Sequence, residues 1–216
     1  MTQTMTAKAS AWQLGPARLG ALAISLGFGW GAATSLLQTV LARPFAGLAN
    51  AVAPWLMTPV VVGALARTRR QAMVGGLLAC LLQVAGYYVL ASARGFGVSG
   101  QYLLFWSAAA LVGGPVFGLA GHFWRYGTGR IGGLGPALIA GVWGTEAVAQ
   151  YAITLRYYDD AVVFAVIAIV LGLVLGTRPG PVSATVRWLL VVLPAGILAF
   201  LGVGLLLQVL MSGLRP

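Results

Sequence analysis

The sequence predicts an all-α fold, a polytopic transmembrane helical bundle of about seven spans, from three observations. Of the 216 residues, 60% are hydrophobic and only 7% are charged, whereas a soluble domain carries roughly 25% charged residues. Apolar runs of about 20 residues, each long enough to cross a hydrocarbon core of about 30 Å, recur along almost the whole chain. The Lys and Arg residues fall in small groups between these runs, as topology signals do.

The apolar runs divide the chain into a single transmembrane domain at 19–210, an N-terminal tail at 1–18 and a short C-terminal tail at 211–216. The predicted spans are 19–41, 46–66, 72–92, 101–123, 133–155, 161–176 and 188–210. Pro54 and Pro59 interrupt the second run, so six spans plus a re-entrant segment are the alternative. A cleaved signal peptide is the alternative interpretation of the first run.

The positive charges predict an orientation. Successive polar segments hold 2, 1, 3, 1, 2, 1, 2 and 1 Lys or Arg residues, nine in the odd segments and four in the even ones. The positive-inside rule therefore predicts a cytoplasmic N-terminus and an outer C-terminus. Arg outnumbers Lys twelve to one, which together with abundant Ala and Gly favours a bacterial cytoplasmic membrane. If the second or the final run is re-entrant, the C-terminus moves inside.

Composition and motifs disfavour most enzyme chemistry. The net charge of +10 is spread along the chain, so it does not indicate nucleic-acid binding. Cys80 and His122 are the single cysteine and histidine, which leaves no metal site, no nucleophile with a base and no catalytic residues to assign. Asp159-Asp160 is a lone acidic pair, whereas prenyl-transfer enzymes use two aspartate-rich motifs. We therefore expect neither an enzyme nor a bound cofactor.

The strongly polar intramembrane residues concentrate in the outward halves of the predicted spans. In hydrocarbon such side chains are costly, so their positions are informative. Trp143, Glu146 and Gln150 are spaced by three and four residues and share one helix face. If these faces converge, they line an outward-facing cavity for a small cationic or aromatic ligand. The predicted ligand-binding residues are Asn50, Gln83, Tyr87, Trp106, Trp143, Glu146 and Gln150.

Glu146 is the only carboxylate within a predicted span. With no Lys or Arg inside a span to pair with it, we expect it to be protonated, to be hydrogen-bonded to an amide or hydroxyl, or to face water or ligand. The alternative is a structural side chain that joins helices, with Gln83 as a candidate partner. Asp159 and Asp160 precede the span at 161–176, where they either meet the helix dipole or gate the cavity.

Small residues four apart mark the first span, as Gly27-x-x-x-Gly31 and Gly29-x-x-x-Ala33. Such strips let helix backbones approach closely. They serve either packing within the bundle or docking of a partner membrane protein.

Two resemblances accompany these patterns. The run LANAVAPWLMTPVVVGALARTRRQAMVGGLLACLLQVAGYY, residues 48–88, resembles a family of small uncharacterised bacterial, largely actinobacterial, membrane proteins, which implies no function. The architecture is similar to the substrate-binding S components of energy-coupling factor vitamin transporters, particularly the thiamine-precursor type. That resemblance implies a pocket near the outer face and a first helix that docks a partner. By character, the pocket residues would be Trp143, Glu146 and Gln150, and the docking residues Gly27, Gly29, Gly31 and Ala33. The departure is that S components have six spans.

The leading functional hypothesis is a membrane protein for small-solute binding or transport, with a partner subunit and an ATPase. The first alternative is a structural or assembly subunit without a ligand. The second is a proton-coupled small transporter with Glu146 as the proton site. Membrane lipid is the other expected partner.

Overall fold

A computed structural model describes residues 13–177 and 182–212, with side chains described as far as residue 205. These residues form helices α1 (Pro16–Val40), α2 (Gly47–Asn50), α3 (Val52–Leu65), α4 (Arg69–Ala93), α5 (Gly100–Tyr126), α6 (Gly129–Thr145, continued by a π-helix at Glu146–Leu155), α7 (Tyr158–Gly176) and α8 (Val182–Ser212). Of the predicted tails, residues 1–12 and 213–216 lie outside the described residues.

Among the described residues, six helices are long and apolar enough to cross a membrane. They are α1, α4, α5, α6 with its π-helical continuation, α7 and α8. The all-helical bundle confirms the predicted fold class, and the chain is a multi-pass membrane protein. Helix α1 begins at Pro16, where proline fits because the first helical N–H needs no partner.

The second predicted span, 46–66, is not one continuous helix. It consists of the single turn α2, an extended residue at Ala51, and the 14-residue helix α3, which is about 21 Å long. The backbone N–H of Leu14 donates to the Leu65 carbonyl oxygen at 3.0 Å, so α3 ends level with the start of α1. At the opposite end, Gln38 Nε2 lies 3.5 Å from the Ala49 oxygen. The α2–α3 segment therefore runs from one end of the bundle to the other, beside the six long helices.

Glycines bring the backbones of neighbouring helices together. An added Cβ at Gly27 or Gly31 of α1 would overlap the carbonyl oxygen of Ala79 or Gln83 in α4. Between α3 and α5, a Cβ at Gly63 would overlap the Gly118 oxygen. Lipid tails are as apolar as the helices, so close van der Waals packing replaces the hydrophobic effect as the attraction between them. The small-residue strip of α1 is thus part of the internal packing.

Replacing Gly31 by alanine tests this packing. Because the new methyl group meets backbone rather than a movable side chain, we expect Gly31→Ala to lower the free energy of unfolding by about 1–3 kcal/mol. The measurement is unfolding of the purified protein in mixed micelles. Gly29→Ala is the matched control, because an added Cβ there meets nothing within 4 Å. Equal stability of the two variants would contradict the proposed backbone contact.

Candidate functional site

A cavity of about 640 Å³ lies at the end of the bundle where α4 ends and α5 begins. Its walls are the last turns of α1, the α2–α3 break, the second half of α4 and the first half of α5. The amide and large aromatic side chains in its lining include Gln38, Asn50, Trp55, Tyr87, Tyr88, Tyr102 and Trp106. The volume lies in the range of small-molecule sites, roughly 300–1,000 Å³.

Aromatic rings from three helices meet in this cavity. The ring centroid of Trp55 lies 5.7 Å from that of Tyr87 and 6.4 Å from that of Trp106. Tyr87 and Tyr88 are in edge contact, with centroids 5.1 Å apart. Such a cluster offers ring faces both for stacking and for a cation. We call Trp55, Tyr87, Tyr88 and Trp106 the aromatic cluster.

Amide groups accompany the aromatic cluster. Gln38 Oε1 accepts a hydrogen bond of 2.8 Å from the Tyr87 hydroxyl, and Asn50 Nδ2 donates to the Ala46 oxygen at 3.2 Å. Among the described residues, the lining holds no Asp, Glu, Lys or Arg. A cationic ligand would therefore be recognised by ring faces and amide oxygens, without a formal countercharge.

The wall of the cavity at the α2–α3 break is held by Glu146. Helix α3 begins inside the bundle, and its first N–H groups have no partner within the helix. Glu146 Oε1 accepts from Val52 N and Oε2 from Ala53 N, both at 2.7 Å. The side chain comes from a distant helix and is 3% exposed. A carboxylate at this position satisfies two donors and also meets the positive end of the helix dipole.

The π-helix that begins at Glu146 also contacts α2. The Tyr151 ring lies 4.6 Å, centroid to centroid, from that of Phe164, and its hydroxyl lies against Gly47. An added Cβ at Gly47 would overlap this hydroxyl, so a larger residue there would have to displace the Tyr151 ring. π-helices are rare and occur often at functional sites. The π-helix thus brings Glu146 to the start of α3 and Tyr151 to the start of α2.

An ion pair fastens the α1–α2 connection to the start of α7. Arg43 Nε donates to Asp160 Oδ2 at 2.9 Å, and the Arg43 guanidinium lies 3.8 Å from the centroid of the Tyr157 ring. Asp160 is buried, whereas Arg43 is half-exposed. Asp160 therefore has a specific partner in addition to its place in the first turn of α7.

Residues 11–209 match the model of DUF6518, a family of unknown function. The chain belongs to the DUF6518 family. No curated protein and no solved structure gives a significant match. The expected membership of an uncharacterised family is confirmed, and it assigns no ligand or reaction to this DUF6518 protein.

The structure brings three of the seven predicted ligand-binding residues into the cavity: Asn50, Tyr87 and Trp106. Trp55 joins them, although the sequence analysis did not identify it. Its position in the sequence was the available signal, because Trp55 lies in the outward half of the predicted span 46–66, as the other polar and aromatic candidates do in their spans.

The other four predicted residues lie elsewhere. Gln83 is fully buried and its Oε1 accepts a 2.6 Å hydrogen bond from the Thr58 hydroxyl. Trp143 is buried with its ring 5.1 Å from that of Phe164. Gln150 belongs to the π-helix. The fourth residue, Glu146, accepts hydrogen bonds from the backbone N–H groups at the start of α3. Three of the predicted residues thus line the cavity, whereas Gln83, Trp143 and Glu146 make contacts between helices. A ligand-binding role for the four residues outside the cavity stays a prediction.

The predicted docking strip of this DUF6518 protein, Gly27, Gly29, Gly31 and Ala33, has both buried and accessible residues. Gly27 and Gly31 are buried against α4. Gly29 is exposed, and Ala33 is half-buried. Partner docking stays a prediction that involves Gly29 more directly than the buried glycines.

The Glu146 contact predicts a specific loss of stability. Glu146→Gln keeps one acceptor oxygen but directs an NH₂ group at the second backbone N–H, so a buried donor loses its partner. We expect a decrease of about 1–3 kcal/mol in the free energy of unfolding, measured in mixed micelles. Asp159→Asn is the matched control, because it makes the same chemical change at an exposed carboxylate. Equal losses in both variants would contradict the capping role.

Proposed function

We propose that this protein binds a small aromatic or cationic solute in the cavity, as a solute-binding or transport-related membrane protein. The observation that carries the proposal is the aromatic cluster, together with Gln38 and Asn50, around about 640 Å³ of space. A bundle that only joins helices has no need of a cavity of this size. Aromatic walls with a few amide groups are typical of sites for organic ligands.

The recognition mechanism follows from the lining. The ligand's ring stacks in the aromatic cluster, and a positive centre is attracted to ring faces by about 0.5–2 kcal/mol for each well-placed ring. Gln38 and Asn50 hydrogen-bond its polar groups. Glu146 contributes as a positioning residue, because both of its oxygens accept from the first N–H groups of α3 and thereby hold one wall.

Binding can be measured with a panel of three probes and a matched pair of variants. The probes are thiamine, choline and indole, which separate an aromatic cation, a cation without a ring and a neutral ring. We expect thiamine or one of the simpler probes to raise the thermal stability of the protein in nanodiscs. Trp106→Ala should weaken that binding by about tenfold, because it removes one stacking surface worth about 1–2 kcal/mol.

Leu104→Ala is the control, since Leu104 lies on the same helix, 73% exposed and away from the lining. If no probe shifts the stability and native mass spectrometry finds only lipid on the protein, the ligand proposal fails. That result would favour a structural subunit. The contacts of Glu146 and of Gln83, which join helices, are the observations that support this second candidate.

We further propose that the cavity faces outward from a bacterial cytoplasmic membrane. The end of the bundle where α1 begins holds most of the described arginines, and the cavity end holds Arg43, Arg94 and Arg156. The positive-inside rule then places the start of α1 inside. An outward cavity suits capture of a solute, as in the vitamin S components, with delivery through a partner subunit and an ATPase.

Cysteine labelling tests this orientation. In a Cys80→Ser background, Tyr102→Cys should react with a membrane-impermeant maleimide added to intact cells, because Tyr102 is 61% exposed at the cavity end. Arg130→Cys, at the opposite end, should react only after permeabilisation. The reverse pattern would place the cavity on the cytoplasmic side.

A further inference from the structure

The charges of this protein are separated between its two ends. All three side-chain carboxylates lie at the cavity end, with Glu146 at the start of α3 and with Asp159 and Asp160 at the start of α7. The opposite end holds seven described arginines, Arg18, Arg67, Arg69, Arg70, Arg125, Arg130 and Arg187. We call it the arginine end. No side-chain carboxylate of the chain is placed to neutralise it.

A groove runs along the outside of the bundle from the arginine end, between α1 and α4. It holds about 310 Å³ and is lined by Pro16, Leu19, Gly20, Arg70, Gln71, Val74, Gly75 and Leu78. The stretch from Arg70 to Leu78 rises about 12 Å, most of the roughly 15 Å that one leaflet contributes to the hydrocarbon core. An added Cβ at Gly20 meets nothing within 4 Å, so the groove is open along α1.

One arginine lines the polar end of this groove, and a second lies beside the start of α1, next to the groove residue Pro16. Arg70 is part of its wall. Arg67 Nη2 lies 3.9 Å from the position that a Cβ on Gly15 would take, which sets it beside the start of α1. Within residues 13–177 and 182–212, neither guanidinium has a hydrogen bond or an ion pair. Guanidinium groups bind phosphate oxygens in a bidentate manner, with two parallel hydrogen bonds.

We propose that the groove and these two arginines form a binding site for one anionic phospholipid. Its phosphate binds Arg67 and Arg70, and one acyl chain lies along Gly20, Val74 and Leu78. The groove faces hydrocarbon and is almost entirely apolar beyond Arg70 and Gln71, so an acyl chain matches it. The uncompensated charge at the arginine end selects an anionic lipid over a zwitterionic one, because each arginine near an anionic membrane surface adds to the attraction. This site is independent of the proposed solute cavity.

The headgroup half of the site is tested by native mass spectrometry with phosphatidylglycerol and phosphatidylcholine. The wild type is expected to retain phosphatidylglycerol preferentially. Arg70→Ala should weaken that binding about fivefold, the effect of losing one cationic contact of about 1 kcal/mol. Arg130→Ala is the control, because it removes the same charge from the same end but outside the groove.

The acyl half of the site is tested with a second pair of variants. Gly20→Leu adds a side chain whose Cβ lies in open space at the groove, and it should also weaken phosphatidylglycerol binding. Gly29→Leu places the same side chain in equally open space on α1, far from the groove, and should leave binding unchanged. The proposal is overturned if Arg70→Ala binds as Arg130→Ala does, if Gly20→Leu binds as Gly29→Leu does, or if both lipids bind equally. Solute binding in the cavity should be unaffected in all four variants, which separates this test from that of the cavity.

Discussion

Two hydrogen bonds, from Val52 N and Ala53 N to the Glu146 carboxyl group, hold the interrupted second crossing in place. A helix that begins within a bundle has N–H groups without a partner in the helix, and each unsatisfied backbone group in hydrocarbon costs several kcal/mol. The carboxyl group supplies two acceptors at that point. The chain can therefore break at Ala51, turn through α2 and still run from one end of the bundle to the other.

The break forms part of the cavity wall. Ala49, Asn50, Ala51 and Val52 line the cavity opposite α4 and α5. Tyr151 against Gly47, and Arg43 on Asp160, attach the α2 side of the break to the π-helix and to α7. Glycine contacts between α1 and α4 and between α3 and α5 hold the remaining walls together at backbone distance. The aromatic cluster is thus built on a rigid frame, as precise ligand positioning requires.

The sequence was sufficient for the fold class because length and hydropathy alone decide whether a helix can span a membrane. It also indicated that the second run is interrupted, but the break lies at Ala51, and Pro54 and Pro59 both lie within α3. The partner of Glu146 was not predictable, because its hydrogen-bond donors are backbone N–H groups, which every residue except proline carries. The site prediction was also limited because hydropathy does not determine how each helix is rotated about its own axis. Tyr87 and Trp106 point into the cavity, whereas Gln83, one turn from Tyr87, points at Thr58.

The dependence of the second crossing on Glu146 can be tested most directly at the two amides themselves. The measurement is hydrogen exchange of the Val52 and Ala53 amides, resolved by NMR of protein labelled with ¹⁵N-valine and ¹⁵N-alanine in nanodiscs. The account predicts that both amides are protected like those in the middle of α3, and that Glu146→Gln makes at least one of the two exchange faster while the middle of α3 is unchanged. Rapid exchange of both amides in the wild type, or no change in the variant, would contradict it.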